Sequence, residues 1–284
     1  MNTKILALVD GSTYATSVCH TAAWIAKRLG GGVDVLHLLP DIHAKGTGDL
    51  SGALKLGART ALMEELVTLE AQRAKLVTVQ GHAILDDAKA LIEAEGISSV
   101  TQKLRYGDLV ETLAALQPEV RALVVGKRGE GSGGAFEHLG SNLERIIRSA
   151  TVPVFVAARA FKPITKVLIA FDASDSAERA VDRMAASPVF DGLQAVLVHA
   201  GTDSPAVRAR MAVAQARLAA GGLQVTTEIV AGEPEVALDR MIASQGFDLL
   251  VMGAYGHSRI RNLIIGSTTT AMIRACKIPV LLYR

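Results

Sequence analysis

The sequence predicts an α/β protein made of two tandem doubly wound domains, each with a parallel five-stranded sheet. Two observations lead to this prediction: short, continuously apolar runs alternate with amphipathic segments, and four segments recur in the same order in both halves. Continuously apolar strands separated by helices are typical of a parallel sheet that is covered on both faces. Right-handed crossovers then give a doubly wound sheet of the flavodoxin or Rossmann type.

The internal repeat defines two domains, which we place at residues 1–160 and 161–284. Self-similarity in a fixed order is the sequence signature of a duplicated unit. The matching pairs are KILALVDGSTYATS with KVLIAFDASDSAERA, VDVLHL with QAVLVHA, ALVVGKRGEG with LLVMGAYGHS, and GSNLERIIRSATVPVFVA with GSTTTAMIRACKIPVLLY.

The second copy gives the clearest order of elements. Ser204 is predicted to be a helix N-cap with Pro205 at the first helical position, and Gly221 ends that helix. Apolar runs predict its five strands at residues 166–171, 193–199, 224–230, 248–253 and 278–283.

The first copy carries about 35 extra residues, mainly a helical insertion at about 45–95. The pattern predicts a helix on the order of 50 Å long, which Gly81 is expected to interrupt. Two interpretations stay open: the helix covers its own sheet, or it contacts another subunit or a protein partner. The residues predicted to form its apolar stripe are Leu62, Leu66, Leu69, Leu76, Ala83 and Ile84.

Composition excludes several classes of function. The chain has 284 residues and a formal net charge of only +2, without a basic tail, so we expect neither a nucleic-acid groove nor a membrane-surface patch. Cys19 and Cys276 lie in helical patterns and are expected to be small buried thiols of a cytoplasmic protein. No secretory signal pattern opens the sequence. No metal-ligand spacing and no catalytic motif is present, so we predict no metal site and no catalytic residue.

A glycine-punctuated segment in the second copy is the strongest candidate for a ligand site. Gly253 ends the fourth strand, Gly256 permits a turn, and Gly266 and Ser267 open the last helix. The first N–H groups of that helix lack intrahelical partners and carry partial positive charge, which suits a phosphate. The hydroxyls of Ser267, Thr268 and Thr269 add further donors. On these grounds alone, an empty turn remains an alternative.

The spacing Gly253-x2-Gly256-x9-Gly266-Ser267 resembles the phosphate loop of the universal stress protein family. Together with an Asp after the first strand and the ending IPVLLYR, it is similar to a tandem member of that family over both halves except the insertion. The resemblance implies an ATP site, with or without Mg²⁺, at the carboxyl ends of the strands. It implies that Asp172 and the backbone just past the second strand, at Ala200, hold the adenine-ribose end. It also implies that the last strands of the two copies pair within one chain, which makes a pseudo-two-fold and shields two edge strands. The phosphates would contact Gly253, Gly256, Gly266, Ser267 and Thr268.

The first copy departs from this pattern and is expected to be the weaker site. Ten residues instead of nine separate Gly129 from Gly140-Ser141, and the segment EGSGGAFEH between them is acidic, which weakens anion binding. The matching positions are Asp10, Leu38, Gly126, Gly129, Gly140, Ser141 and Asn142.

Other residues near these loops have assigned roles or alternatives. Asp10 and Asp172 are alternatively N-cap or turn residues. His37 and His199, near equivalent strand ends, are expected to hydrogen-bond a loop carbonyl. His257, Arg259 and Arg261 are predicted to lie over the phosphates.

The sequence therefore predicts a cytoplasmic ATP-binding protein of stress response or signalling, without dedicated catalysis. We expect a homodimer, and a further protein partner is compatible with the insertion. Two alternatives remain open. One is a nucleotide-free dimeric scaffold that uses the helical insertion for contacts, and the other is a slow ATPase.

Overall fold

The computed structural model describes residues 3–39, 56–128, 141–254 and 267–284, with side chains of the bordering helices described from residues 64, 142 and 269. The first half contains β1 (Ile5–Leu8), α1 (Ala15–Leu29), β2 (Val33–Leu39), α2 (Leu56–Ala94), β3 (Val100–Tyr106), α3 (Leu109–Leu116), β4 (Ala122–Gly126), α4 (Ser141–Ser149) and β5 (Val154–Ala157). The second half contains β6 (Lys166–Ala170), α5 (Asp175–Ala185), β7 (Gln194–Ala200), α6 (Pro205–Ala220), β8 (Gln224–Val230), α7 (Pro234–Gln245), β9 (Leu249–Gly253), α8 (Ser267–Ala275) and β10 (Val280–Tyr283).

All ten strands form one sheet in the order β3-β2-β1-β4-β5-β10-β9-β6-β7-β8. Within each half, neighbouring strands are parallel. The two halves meet where β5 and β10 pair antiparallel, with Phe155 opposite Leu281. The predicted pairing of the two last strands is therefore confirmed. The strand order of the second half is the reverse of the order in the first half, as a two-fold axis between β5 and β10 requires.

Helices cover both faces of this sheet, which makes each half doubly wound. One buried apolar cluster joins α1, α2, α5 and α6 to the sheet, and the other joins α3, α4, α7 and α8. Both clusters contain residues of β5 and β10, so the two cores continue across the boundary between the halves. In the described part of the chain, no helix is both long enough and apolar enough to cross a bilayer.

Local signals in the second half place the elements where the sequence predicts them. The Ser204 side chain accepts the backbone N–H of Val207 at 3.3 Å, Pro205 is the first helical residue, and α6 ends at Gly221. All five strands lie within two residues of the predicted bounds.

Cys19 and Cys276 are buried and free, and burial raises the pKa of the Cys19 thiol to about 12, which suits an unreactive packing role.

The prediction that Gly81 interrupts the inserted helix is wrong, because α2 runs unbroken through 39 residues, a length of about 58 Å. Gly81 is buried where α2 crosses β2 and β3. A Cβ at this position would lie 2.9 Å from Cδ1 of Leu104 and 3.1 Å from Cδ2 of His37. Glycine therefore allows α2 to pack closely against β2 and β3 at this point, and this tertiary contact outweighs the low helix propensity of glycine.

The predicted apolar stripe of α2 is wrong for its middle part. The Leu69 and Leu76 side chains are 56% and 69% exposed, and Ala83 is exposed too. Leu66 and Ile84 are half-buried, and the Leu62 side chain lies outside the described residues. The helix reaches its own sheet only through its C-terminal part. The residues buried there are Leu85, Ala88 and Ile92.

Candidate functional site

Each half has one point in its sheet where the chain changes direction of winding. In the first half this point lies between the adjacent strands β1 and β4, and in the second half between β6 and β9. A crevice at the carboxyl ends of such strands is the usual ligand site of an open parallel sheet. Asp10 and Gly126 flank the first crevice, and Asp172 and Gly253 flank the second. Because β5 and β10 are antiparallel, the two crevices lie at opposite edges of the sheet.

The two aspartates hold the turns that lead from the first strand of each half into its first helix. Oδ1 of Asp172 accepts the backbone N–H of Ser174 at 3.0 Å, and Oδ1 of Asp10 accepts that of Ser12 at 3.0 Å. Both therefore have the turn role that the sequence left as an alternative. Ala173, between Asp172 and Ser174, has a φ of 59°. Backbone strain of this kind in a non-glycine residue occurs preferentially at functional sites.

The histidines of β2 and β7 have the structural role predicted for them. Nδ1 of His199 donates to the carbonyl oxygen of Phe171 at 2.9 Å, and Nδ1 of His37 donates to that of Val9 at 2.8 Å. Because a carbonyl oxygen can only accept, Nδ1 carries the proton in both rings. Each bond ties the residue just before the aspartate to the neighbouring strand, so the carboxylate has a fixed position at the crevice.

The backbone at Ala200 and Leu38 faces the crevices. The carbonyl of Val198 accepts the N–H of Phe171, and that of Leu36 accepts the N–H of Val9. Backbone groups two residues further along a strand point to the same side. The N–H and C=O of Ala200 therefore face the space beyond the carboxyl end of β6. Those of Leu38 face the space beyond the carboxyl end of β1. Both residues still belong to their strands, β7 and β2, whereas the resemblance placed them just past the strand end.

Gly253 and Gly126 let the start of the first helix approach the end of the fourth strand. A Cβ at position 253 would lie 2.9 Å from the Cβ of Ser176 and even closer to its hydroxyl. A Cβ at position 126 would lie 2.8 Å from the Cβ of Tyr14, which occupies the equivalent place in the repeat. These glycines close the floor of each crevice by packing.

The last helix of each half begins beside its crevice. α8 begins at Ser267 and α4 at Ser141, directly after Gly266 and Gly140 in the sequence. The prediction that the Thr269 hydroxyl is a phosphate donor is wrong. Thr269 is buried, and its Oγ1 donates to the carbonyl oxygens of Ala254 at 3.3 Å and Gly253 at 3.4 Å. It anchors α8 to the end of β9.

Several predicted site residues are not located by the structure. The side chains of Ser141, Ser267 and Thr268 lie outside the described residues, and Asn142 is exposed on the first turn of α4. Within the described ranges, no group of three or more His, Cys, Asp or Glu side chains is placed to hold a metal ion. The predicted residues that lie entirely outside the described ranges are Gly129, Gly140, Gly256, His257, Arg259, Arg261 and Gly266.

Sequence reasoning missed two cations that join the halves at the ends of these helices. Nζ of Lys127, the residue after Gly126, donates to the carbonyl oxygens of Arg274 at 2.7 Å and Cys276 at 2.9 Å, at the C-terminus of α8. Nη1 of Arg284 donates to the carbonyl oxygen of Arg148 at 2.7 Å, at the C-terminus of α4. Cations are favoured at helix C-termini. Burial lowers the pKa of Lys127 below the ordinary lysine value. The only sequence signal was that the repeat has Ala254 where the first half has Lys127.

Comparison with known proteins identifies relatives of the whole chain. The model of the universal stress protein family matches residues 1–158 and 198–284. A universal stress protein of Synechocystis sp. is 38% identical over 99% of both chains, and one of Mycobacterium tuberculosis is 24% identical over 100% of this chain and 95% of its own. A crystal structure of a universal stress protein from Archaeoglobus fulgidus covers 100% of this chain and 99% of its own, with a TM-score of 0.72 and 22% identity.

We predict that Gly253→Ala lowers the free energy of unfolding by about 1–3 kcal/mol, because the new methyl group has no room beside Ser176. Ser176→Ala removes the nearest atom, so the double variant should recover part of the loss. Urea unfolding of the single and double variants measures both effects. A double variant whose loss equals the sum of the two single losses would show that the two residues do not meet.

Proposed function

Since the chain belongs to the universal stress protein family, we propose that it is a stress-response protein that binds an adenine nucleotide, ATP, at the carboxyl edge of its second half. One observation carries the proposal: Asp172, the backbone of Ala200 and Gly253 converge at the β6/β9 crevice, beside the start of α8. A crevice of this kind offers a carboxylate, peptide groups and a helix N-terminus within one ligand length.

The proposed roles follow the chemistry of these groups. The Asp172 carboxylate accepts hydrogen bonds from ribose hydroxyls, and the peptide groups of Ala200 pair with the edge of the adenine ring. The triphosphate meets the glycine segment with Gly256 and Gly266 and the α8 start at Ser267 and Thr268. An attendant Mg²⁺ would be carried by the phosphate oxygens, which are its usual partners.

We assign the first half the weaker site of the two. Asp10, Leu38 and Gly126 lie at its crevice in the same arrangement. The other positions that match the phosphate loop in the sequence are Gly129, Gly140, Ser141 and Asn142, with an acidic segment between the glycines. Negative charge near a bound triphosphate costs electrostatic energy, so the second crevice should fill first.

The described residues at the crevices favour binding over catalysis. Asp172 is engaged in a turn and His199 donates to a backbone carbonyl. These bonds make Oδ1 of Asp172 part of the turn and Nδ1 of His199 part of the link to β6, and we assign neither residue a catalytic role. ATP then acts as a ligand that stabilises the state that binds it.

The direct test is to denature the natively purified protein and analyse the supernatant for adenine nucleotides, and to titrate the emptied protein with Mg-ATP in a thermal-shift assay. We expect released nucleotide or a saturable rise in Tm. Finding neither would contradict the proposal.

Asp172→Asn keeps an oxygen for the turn but removes the charge, and should weaken ATP binding roughly tenfold or more. Asp10→Asn, the matched change in the first half, should have the smaller effect.

A second role, assembly into a homodimer, is favoured by the exposed part of α2. Leu69 and Leu76 are seven residues apart, so they share one face of the helix, and both are more than half exposed. Glu70 follows Leu69 and Lys75 precedes Leu76, so two copies packed antiparallel about the midpoint of this face would place Glu70 of each copy opposite Lys75 of the other.

The variant Leu69→Glu/Leu76→Glu should convert this dimer to monomer in sedimentation velocity, because it places four carboxylates at the contact. Val213→Glu, at an exposed apolar position on α6, is the matched control and should leave the dimer intact. A wild-type protein that sediments as a monomer at micromolar concentration would contradict the assembly proposal, as would a dimer that survives the double substitution.

A further inference from the structure

A cavity of about 360 Å³ lies between the two halves, and its lining residues do not include Asp10, Gly126, Asp172 or Gly253. Its size is within the range of about 300–1,000 Å³ that is usual for small-molecule sites. Helix α1 and the start of β5 supply one wall, and the end of α5 with the short 3-10 helix Pro188–Phe190 supplies the other. The main apolar lining residues are Ile25, Leu29, Phe155, Val189 and Phe190.

Two guanidinium groups and one phenol are set into this apolar lining. Arg121 is half-buried at the start of β4, Arg183 is exposed near the end of α5, and Tyr283 is buried at the end of β10. Burial raises the pKa of the Tyr283 hydroxyl, and the charges of Arg183 and Arg121 oppose that rise. All three residues line the same cavity. Among the described residues, neither arginine has a carboxylate partner within ion-pair distance.

The cavity is held open by contacts between the halves. Arg28, at the end of α1, donates through Nε to the carbonyl oxygen of Val189 at 2.5 Å and through Nη2 to that of Asp191. These bonds span the two walls. The space between the two walls is therefore present in the protein without a ligand. Arg183 and Ala186 are exposed at its rim, which gives a ligand a way in.

We infer that this cavity binds an amphipathic monocarboxylate of the size of a medium-chain fatty acid, with its apolar body against Phe155 and Phe190 and its carboxylate between Arg121 and Arg183. Arginine pairs with carboxylates through two parallel N–H donors, and two arginines with a phenol satisfy one carboxylate fully. A nucleoside triphosphate does not fit this lining, because most of its polar surface would face apolar side chains. The site is independent of the proposed nucleotide site.

The test is isothermal titration calorimetry of the full-length protein with decanoate as the probe. We expect saturable one-to-one binding, a rise in Tm with decanoate concentration, and clearly weaker binding of decanol, which has the same chain without the charge. Arg121→Gln/Arg183→Gln should weaken decanoate binding about tenfold or more, since charge-assisted hydrogen bonds are lost. Arg240→Gln, which removes an exposed charge from α7, is the matched control and should leave binding unchanged.

A second variant tests the cavity itself. Ala186→Phe places a ring at the rim and should reduce decanoate binding while keeping the Tm of the unliganded protein, because residue 186 is exposed. Absence of saturable decanoate binding by the wild-type protein would overturn the inference. Equal binding by the wild type and both cavity variants would also overturn it, since the ligand would then lie elsewhere.

Addition of Mg-ATP should leave the decanoate stoichiometry unchanged, and loss of one decanoate site on ATP addition would count against two independent sites.

Discussion

The antiparallel pairing of β5 with β10 is the interaction on which the rest of the structure depends. Only three residue pairs form it, with Phe155 opposite Leu281 at its centre. It nevertheless joins two parallel five-stranded sheets into one sheet and lets both apolar cores continue from half to half. An isolated domain would expose β5 or β10 as an unpaired apolar edge, which favours aggregation. The pairing removes both edges at once.

The same pairing sets the positions of the functional features. Because it reverses one half relative to the other, the two crevices lie at opposite edges of the sheet. The reversal also brings Lys127 to the C-terminus of α8 and Arg284 to the C-terminus of α4. Each helix that begins at one crevice is thus held at its far end by the other half. The cavity beside Tyr283 lies along this boundary.

The sequence predicts the features that short-range patterns determine. Apolar runs locate the strands, Ser204 and Pro205 locate the start of α6, and the repeat predicts the doubled fold. The repeat also assigns equivalent roles to His37 and His199, and the structure gives both the same bond to the residue before the aspartate. These successes share a cause, since each depends on propensity, periodicity or duplication.

The features that the sequence misses depend on distant contacts. Gly81 is predicted to interrupt the helix, yet it lies inside α2 at a position where a Cβ would press against Leu104 and His37. Leu69 and Leu76 have helical spacing, but α2 extends beyond the sheet that would bury them. Thr269 belongs to a hydroxyl cluster, and only the position of β9 shows that its hydroxyl donates back to the strand. Arg121 and Arg183 are far apart in sequence, so the cavity has no linear signature.

Native-state hydrogen exchange tests most directly whether the β5–β10 pairing makes the two halves one cooperative unit. Amides of residues 154–156 and 280–282 should exchange only through global unfolding, as slowly as those of the central strands β1 and β6. The outer strands β3 and β8 should exchange faster. Amides of β5 and β10 that exchange as fast as the outer strands, while β1 and β6 stay protected, would show that the halves separate locally and would contradict the account.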